Sequence, residues 1–249
     1  MDQRDRFVAD RSRPSGVGEE VASPGPSPAR AGVVTSIEPQ VSDSFRLSVF
    51  VDGEFAFGAQ RDVVRAMGLR VGRLLEPGDW ETVVLQDEQK RAQEAGFAVL
   101  SHRARTRTEL RRSLQKRGFN EAAIEVALER IEALGYLNDR EFSERWVDAD
   151  AGGRRHGRER VSFELRRKGV SGEIVAQALE LRTDETELRL ALSAAEKLWP
   201  RWMDLPPAER AQKLSGALRR RGFSWQLCAL ALSHLDAAPA GGAETPDVD

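Results

Sequence analysis

The chain has 249 residues, 40% hydrophobic and 31% charged, with a net charge of −2, which suits a soluble helix-rich protein and excludes a uniformly basic DNA-coating one without excluding local basic patches. A single cysteine rules out an internal disulfide and a cysteine-built zinc site, which fits the cytoplasm. The opening residues lack the apolar core of a secretory signal, and no apolar run approaches the ~20 residues of a membrane span.

Residues 1–32 mix charges with the run Ser23-Pro24-Gly25-Pro26-Ser27-Pro28, a composition that cannot bury a core, so a disordered tail is expected. From residue 33 the pattern turns to period two. Val33-Val34-Thr35-Ser36-Ile37 reads as one strand, and Phe45, Leu47, Val49 and Val51 alternate along a second. Asp52-Gly53 is a hairpin signal, and Glu54-Phe55-Ala56-Phe57 is the returning strand. A short helix from Asp62 to Met67, stopped by Gly68, and a closing Pro77-Gly78 turn complete a small β-rich module over residues 33–78.

Beyond it the periodicity is helical. Asp79 can cap a helix running from Trp80 towards Ser101. The capping box Thr106-Arg107-Thr108-Glu109 opens a second helix ending at Gly118, and a third runs from Glu121 to Leu134. Residues 79–134 thus form a first three-helix unit. In the second, residues 135–182, Asn138 with Glu141 opens the first helix and Leu137 can staple to Phe142. Gly152 and Gly153 break that helix, Gly157 caps the next, and Ser171 caps the last. In the third, residues 183–235, Asp184 with Glu187 opens the first helix and Trp199-Pro200 ends it. Pro206-Pro207 begins the second, and the last ends near Leu235. Residues 236–249 read as another disordered tail.

One turn is written three times. Gln115-Lys116-Arg117-Gly118-Phe119-Asn120 matches Arg166-Arg167-Lys168-Gly169-Val170-Ser171 and Arg219-Arg220-Arg221-Gly222-Phe223-Ser224. Basic residues end a helix, a glycine takes the left-handed position, and an apolar residue precedes an Asn or Ser N-cap. The apolar residues can staple to Ile124, Val175 and Cys228. Leu110 and Leu114, Val161 and Leu165, and Leu214 and Leu218 keep the same spacing upstream of their glycines. The fold class is therefore mainly α, with three tandem three-helix repeats behind a small β-rich N-terminal module.

No phosphate-binding glycine loop, dinucleotide fingerprint or HExxH is present. His102, His156 and His234 are scattered, and Cys228 falls at a staple position. No catalytic residue, cofactor or metal is assigned, and the chain reads as a non-enzyme. Arginine placement is the distinctive feature. Arg103, Arg105, Arg107 and Arg111 cluster around the start of one middle helix; Arg154, Arg155, Arg158 and Arg160 cluster around the next. Cations before a glycine turn complement the helix dipole. Arg103, Arg105, Arg107, Arg154, Arg155 and Arg158 instead precede or begin helices, where cations are disfavoured, so a phosphate or acidic partner is expected to account for them.

The stretch Gly135-Tyr136-Leu137-Asn138-Asp139-Arg140-Glu141-Phe142-Ser143 closely resembles the signature of the RecX regulatory proteins. So does Gly157-Arg158-Glu159-Arg160-Val161 with Glu164-Leu165-Arg166-Arg167-Lys168-Gly169-Val170. Leu100-Ser101-His102-Arg103-Ala104-Arg105-Thr106 resembles that family's first repeat, and the Val51–Phe57 hairpin resembles the β extension of some members. Arg158 stands where a proline is common, and Leu181-Arg182-Thr183-Asp184 replaces a Gly-Tyr-Leu junction. The resemblance implies an elongated, curved stack of repeats. It also implies a cytoplasmic monomer active in recombination, DNA repair and the SOS response. Such a protein binds RecA and the RecA–single-stranded DNA filament and inhibits RecA ATPase, strand exchange and coprotease activity, with DNA itself a further candidate partner. On the residues alone, a helix-turn-helix transcriptional repressor is the main alternative. Its would-be recognition helices are poor in basic residues, with Glu121, Glu125 and Glu129 on the first and Glu173 and Glu180 on the second. A structural adaptor would leave the arginines at helix starts unexplained.

Overall fold

The computed structural model describes residues 29–41 and 43–237; segments 1–28 and 238–249 of the expected tails lie outside the described residues. The chain divides into two compact units, Met1–Val83 and Val84–Asp249.

In the first unit, β1 (Gly32–Pro39), β2 (Arg46–Val51), β3 (Glu54–Gln60) and β4 (Leu74–Leu75) form an antiparallel sheet in the order β3-β2-β1-β4. Alternation sends Val34, Val49, Val51, Phe57 and Ala59 into the core. Phe45, expected to open the second strand, lies outside it and is 76% exposed. Asp52 and Gly53 have φ of 51° and 82°, the left-handed pair that a two-residue hairpin of this twist needs. A short helix α1 (Arg61–Ala66) follows. Two residues are too few to carry a period, so β4 left no sequence signal. Pro77-Gly78 is not a closing turn. Pro77 opens α2 (Pro77–His102), where its missing N–H is one a helix leaves unpaired anyway. Asp79 accepts the Glu76 N–H at 3.0 Å from inside that helix instead of preceding it as a cap. Trp80 is buried edge-on against Phe57, with ring centroids 5.4 Å apart.

The second unit holds three helical triads. The first is α2 from Val84 onward, α3 (Arg107–Gln115) and α4 (Glu121–Ala133). The second is α5 (Asp139–Gly152), α6 (Arg158–Arg167) and α7 (Gly172–Glu180). The third is α8 (Asp184–Leu198), α9 (Pro207–Arg220) and α10 (Trp225–Ala237), with a 3-10 turn at Trp199–Trp202. Each triad has its own core. Leu110, Leu114, Ile124 and Leu128 mark the first; Val161, Leu165, Val170 and Val175 the second; Leu214, Leu218, Phe223 and Cys228 the third. The shared apolar spacing is therefore a shared packing pattern. Asn120 and Ser171 cap α4 and α7 by accepting the N–H groups of Ala123 and Ile174. Two local expectations change. Thr183, not Asp184, caps α8, and Leu137 joins the first core rather than that of Phe142.

Candidate functional site

Gly118, Gly169 and Gly222 have φ of 83°, 86° and 85°, the region that favours glycine. The last two turns do more than reverse the chain. Thr106 Oγ1 donates to the Lys168 carbonyl at 2.7 Å, and Thr108 Oγ1 to the Gly169 carbonyl at 3.1 Å. One unit on, the Gly157 N–H donates to the Arg221 carbonyl at 2.8 Å, and the Glu159 N–H to the Gly222 carbonyl at 3.3 Å. Thr106 and Gly157 are both N-caps, so equivalent positions build both joints. The first two middle helix starts also receive a carboxylate from the unit that follows. The Arg107 N–H donates to Asp139 at 2.8 Å, and the Arg158 N–H to Glu187 at 2.7 Å. A carboxylate is favoured at that dipole end, so each unit caps the middle helix of the one before it. The third middle helix has Pro207 at the position equivalent to Arg107 and Arg158, and proline has no N–H to donate there.

Contacts within and between the units account for several arginines singled out from the sequence. Arg107 pairs with Glu125 at 2.8 Å and Glu132 at 2.7 Å; Arg111 pairs with Glu121 at 3.0 Å and with Glu125. Glu121, Glu125 and Glu132 of α4 thus neutralise Arg107 and Arg111 of α3. Arg158 pairs with Asp184 at 2.9 Å and donates to the Arg182 carbonyl, while Arg160 pairs with Glu164 at 3.0 Å. For Arg107 and Arg158 the answer to the unfavourable dipole lies inside the chain. Arg103, Arg105 and Arg155 carry no side-chain hydrogen bond or ion pair among the described residues, and the Arg105 Nε is enclosed without a partner. Arg155 holds φ of 57°, with its N–H bonded to the Asp150 carbonyl at 2.8 Å. Arg154 is exposed. It lies 5.8 Å from the Trp146 ring centre and 3.7 Å from Glu164. Of the cations assigned from sequence to the helix dipole, Lys116, Arg117, Arg166 and Arg167 are exposed and outside any ion pair among the described residues, while Lys168 pairs with Glu109.

A buried network at the second joint escaped the sequence. Arg182, 2% exposed, lies between α7 and α8. It donates to the His156 carbonyl at 2.8 Å and reaches Asp150 and Glu187 at 3.4 Å. His156 Nδ1 is 2.8 Å from Asp150. The only sequence trace was the irregular Leu181-Arg182-Thr183-Asp184 junction.

The first joint carries its charge nearer the surface. Lys168 Nζ donates to Glu109 at 2.7 Å. Burial alone pushes the Glu109 carboxyl up, but the bond and charge of Lys168, with a backbone bond from Thr106, outweigh it and hold it below its ordinary value of 4.5. A depressed carboxylate contributes stability above the ordinary range and loses it as pH falls through the folded-state value. Asp139 has the opposite sign. Burial raises it above 3.8 despite the Arg107 N–H, so protonation relieves a penalty there. In acid titration of unfolding, Glu109→Gln is therefore expected to reduce the stability lost as pH drops below about 4.5, whereas Asp139→Asn should not. Identical acid limbs for wild type and Glu109→Gln would remove this pair from the joint's energetics.

Family models describe the same segments in the same order. The RecX N-terminal domain matches residues 32–76. The first, second and third RecX three-helix domains match 92–130, 138–179 and 185–232. The chain belongs to the RecX family. The RecX N-terminal match spans β1 to β4, and each RecX three-helix match falls on one helical triad. Regulatory protein RecX of Bacillus licheniformis is 29% identical over 211 residues, covering 85% of this chain and 80% of that protein. Regulatory protein RecX of Clostridium perfringens is 28% identical, covering 79% and 93%. A crystal structure of regulatory protein RecX shares the fold, with a TM-score of 0.70 at 24% identity over 81% of this chain and 99% of that one. That of RecX from Lactobacillus salivarius gives 0.57 at 25% identity over 61% and 98%. No described helix is long and apolar enough to cross a membrane.

Proposed function

We propose that this chain is a non-catalytic regulator of recombination. It binds RecA and the RecA–single-stranded DNA filament as a cytoplasmic monomer, without cofactor or metal, and lowers RecA ATPase, strand exchange and coprotease activity. The ordered match of four RecX models carries this reading, together with relatives named regulatory protein. Exposed cations that the rest of the chain engages weakly or not at all are the candidate contacts. Arg103 and Arg154 stand at equivalent places before α3 and α6, both exposed, with Arg105 and Arg155 beside them. Arg107, Arg111, Arg158 and Arg160 are secondary candidates, since carboxylates of the chain already engage them.

The helix-turn-helix repressor gains no support from charge. The third helices α4, α7 and α10 hold one arginine among them, Arg130, so they bring little positive charge to a major groove.

The test is RecA ATPase on single-stranded DNA. Wild type is expected to inhibit, less so as salt screens exposed charge. Arg103→Glu with Arg154→Glu should need at least about ten-fold more protein for the same inhibition, while stability changes by no more than about 1 kcal/mol, as exposed substitutions do. A folded double variant as inhibitory as wild type would remove these arginines from the contact. Failure of wild type to inhibit would remove the proposed function.

A further inference from the structure

The β unit carries a basic hollow of its own. Residues 63–75 hold Arg65, Arg70 and Arg73 and no acid, although the described part of this unit has more acids than arginines. The segment from α1 to β4 curls through Gly68 and Gly72, at φ of 62° and 84°, around an open hollow of about 960 Å3. All three arginines line it and no carboxylate does. Arg73 is held in place by the Met67 carbonyl and by Asp79 at 3.5 Å. Arg65 and Arg70 are exposed and make no side-chain hydrogen bond or ion pair among the described residues.

The backbone adds donors. The Leu69 N–H bonds the Val64 carbonyl and the Gly72 N–H bonds the Val34 carbonyl. Between them the N–H groups of Arg70 and Val71 donate to nothing among the described residues. Successive free amides in a turn form an anion-binding concavity, and guanidinium forks match phosphate oxygens. The end of α1 does not oppose an anion strongly. The helix has six residues, and its Val63, Val64 and Arg65 carbonyls already accept N–H groups from Met67, Leu69 and Gly68. Dipole complementarity explains Arg65 alone, since Arg70 and Arg73 lie beyond the helix.

We propose that this loop binds a phosphate group, presented as a free anion or within a phosphodiester backbone, between Arg65, Arg70 and the amides of Arg70 and Val71. The site is independent of the RecA reading, and its test contains no RecA. Backbone amide shifts of the full chain are followed while inorganic phosphate, or separately a short single-stranded oligothymidylate, is added. Saturating shifts confined to residues 65–73 are expected with at least one probe. Arg65→Gln with Arg70→Gln should weaken that saturation at least about ten-fold and leave the resonances of the helical unit in place. Saturation by inorganic phosphate alone assigns a free anion; tighter saturation by the oligonucleotide assigns a phosphodiester. If neither probe shifts these amides, or the double variant saturates like wild type, the site is overturned.

Discussion

Gly157→Ala is expected to destabilise the helical unit by about 3–5 kcal/mol, although its backbone would accept any residue. Gly157 has φ of −73° and ψ of 164°, ordinary extended values, so local strain costs nothing and the stiffer unfolded chain would if anything help. The cost is tertiary. A Cβ there would fall on the Gly222 carbonyl and lie 2.6 Å from the Phe223 nitrogen. Both are backbone atoms of a packed turn and cannot swing aside. Relief requires the joint to open, losing the Gly157–Arg221 and Glu159–Gly222 bonds at about 1 kcal/mol each, with overpacking adding 1–3 kcal/mol. Gly118→Ala is the control. It suffers a positive φ of 83° but meets no atom within 4 Å, so about 1–2 kcal/mol is expected. Urea unfolding with circular dichroism would rank the two. Gly157→Ala at the wild-type midpoint would show that the second joint does not close as described.

Arg182→Met should be at least as damaging, at about 3–5 kcal/mol. The side chain is 2% exposed and serves Asp150 and Glu187, both 4% exposed, so its loss takes the shared cation from two buried carboxylates, leaving Asp150 its His156 bonds and Glu187 the Arg158 N–H. Asp150 lies on α5 and Glu187 on α8, which are the first helices of successive units, so the damage falls on their joint. Adding Asp150→Asn and Glu187→Gln to Arg182→Met should recover part of the loss, because the buried negative charge left without its cation disappears while packing volume stays. Denaturant midpoints of the single and triple variants decide this. A single variant as stable as wild type would mean the network contributes no net stability.

The candidate site was only half legible in the sequence. The positions of the basic residues were readable, but not which of them meet a carboxylate. Arg107 meets Glu132 across 25 residues, and Arg158 meets Asp184 across 26. Both look like free cations at a helix start until the next helices are packed. Lys116, Arg117, Arg166 and Arg167 looked satisfied by the dipole yet remain unpaired. In the β unit, Arg65, Arg70 and Arg73 showed no pattern, because a loop has no period. Their convergence depends on two glycines at positive φ.

By itself the sequence determined the three helical units, their glycine turns, most of their caps and the first β-hairpin. Those features follow from local rules. Side chains three or four apart share a helix face, only glycine takes a left-handed turn cheaply, and a capping oxygen reaches an N–H two or three residues on. Tertiary structure alone decided how successive units join. Thr106 meets Lys168 across 62 residues, Gly157 packs on Gly222, and Arg182 buries its charge between Asp150 and Glu187. Such contacts leave no periodic trace, since what they require of each residue is a small side chain or a matching charge at a place that exists only after both units have folded.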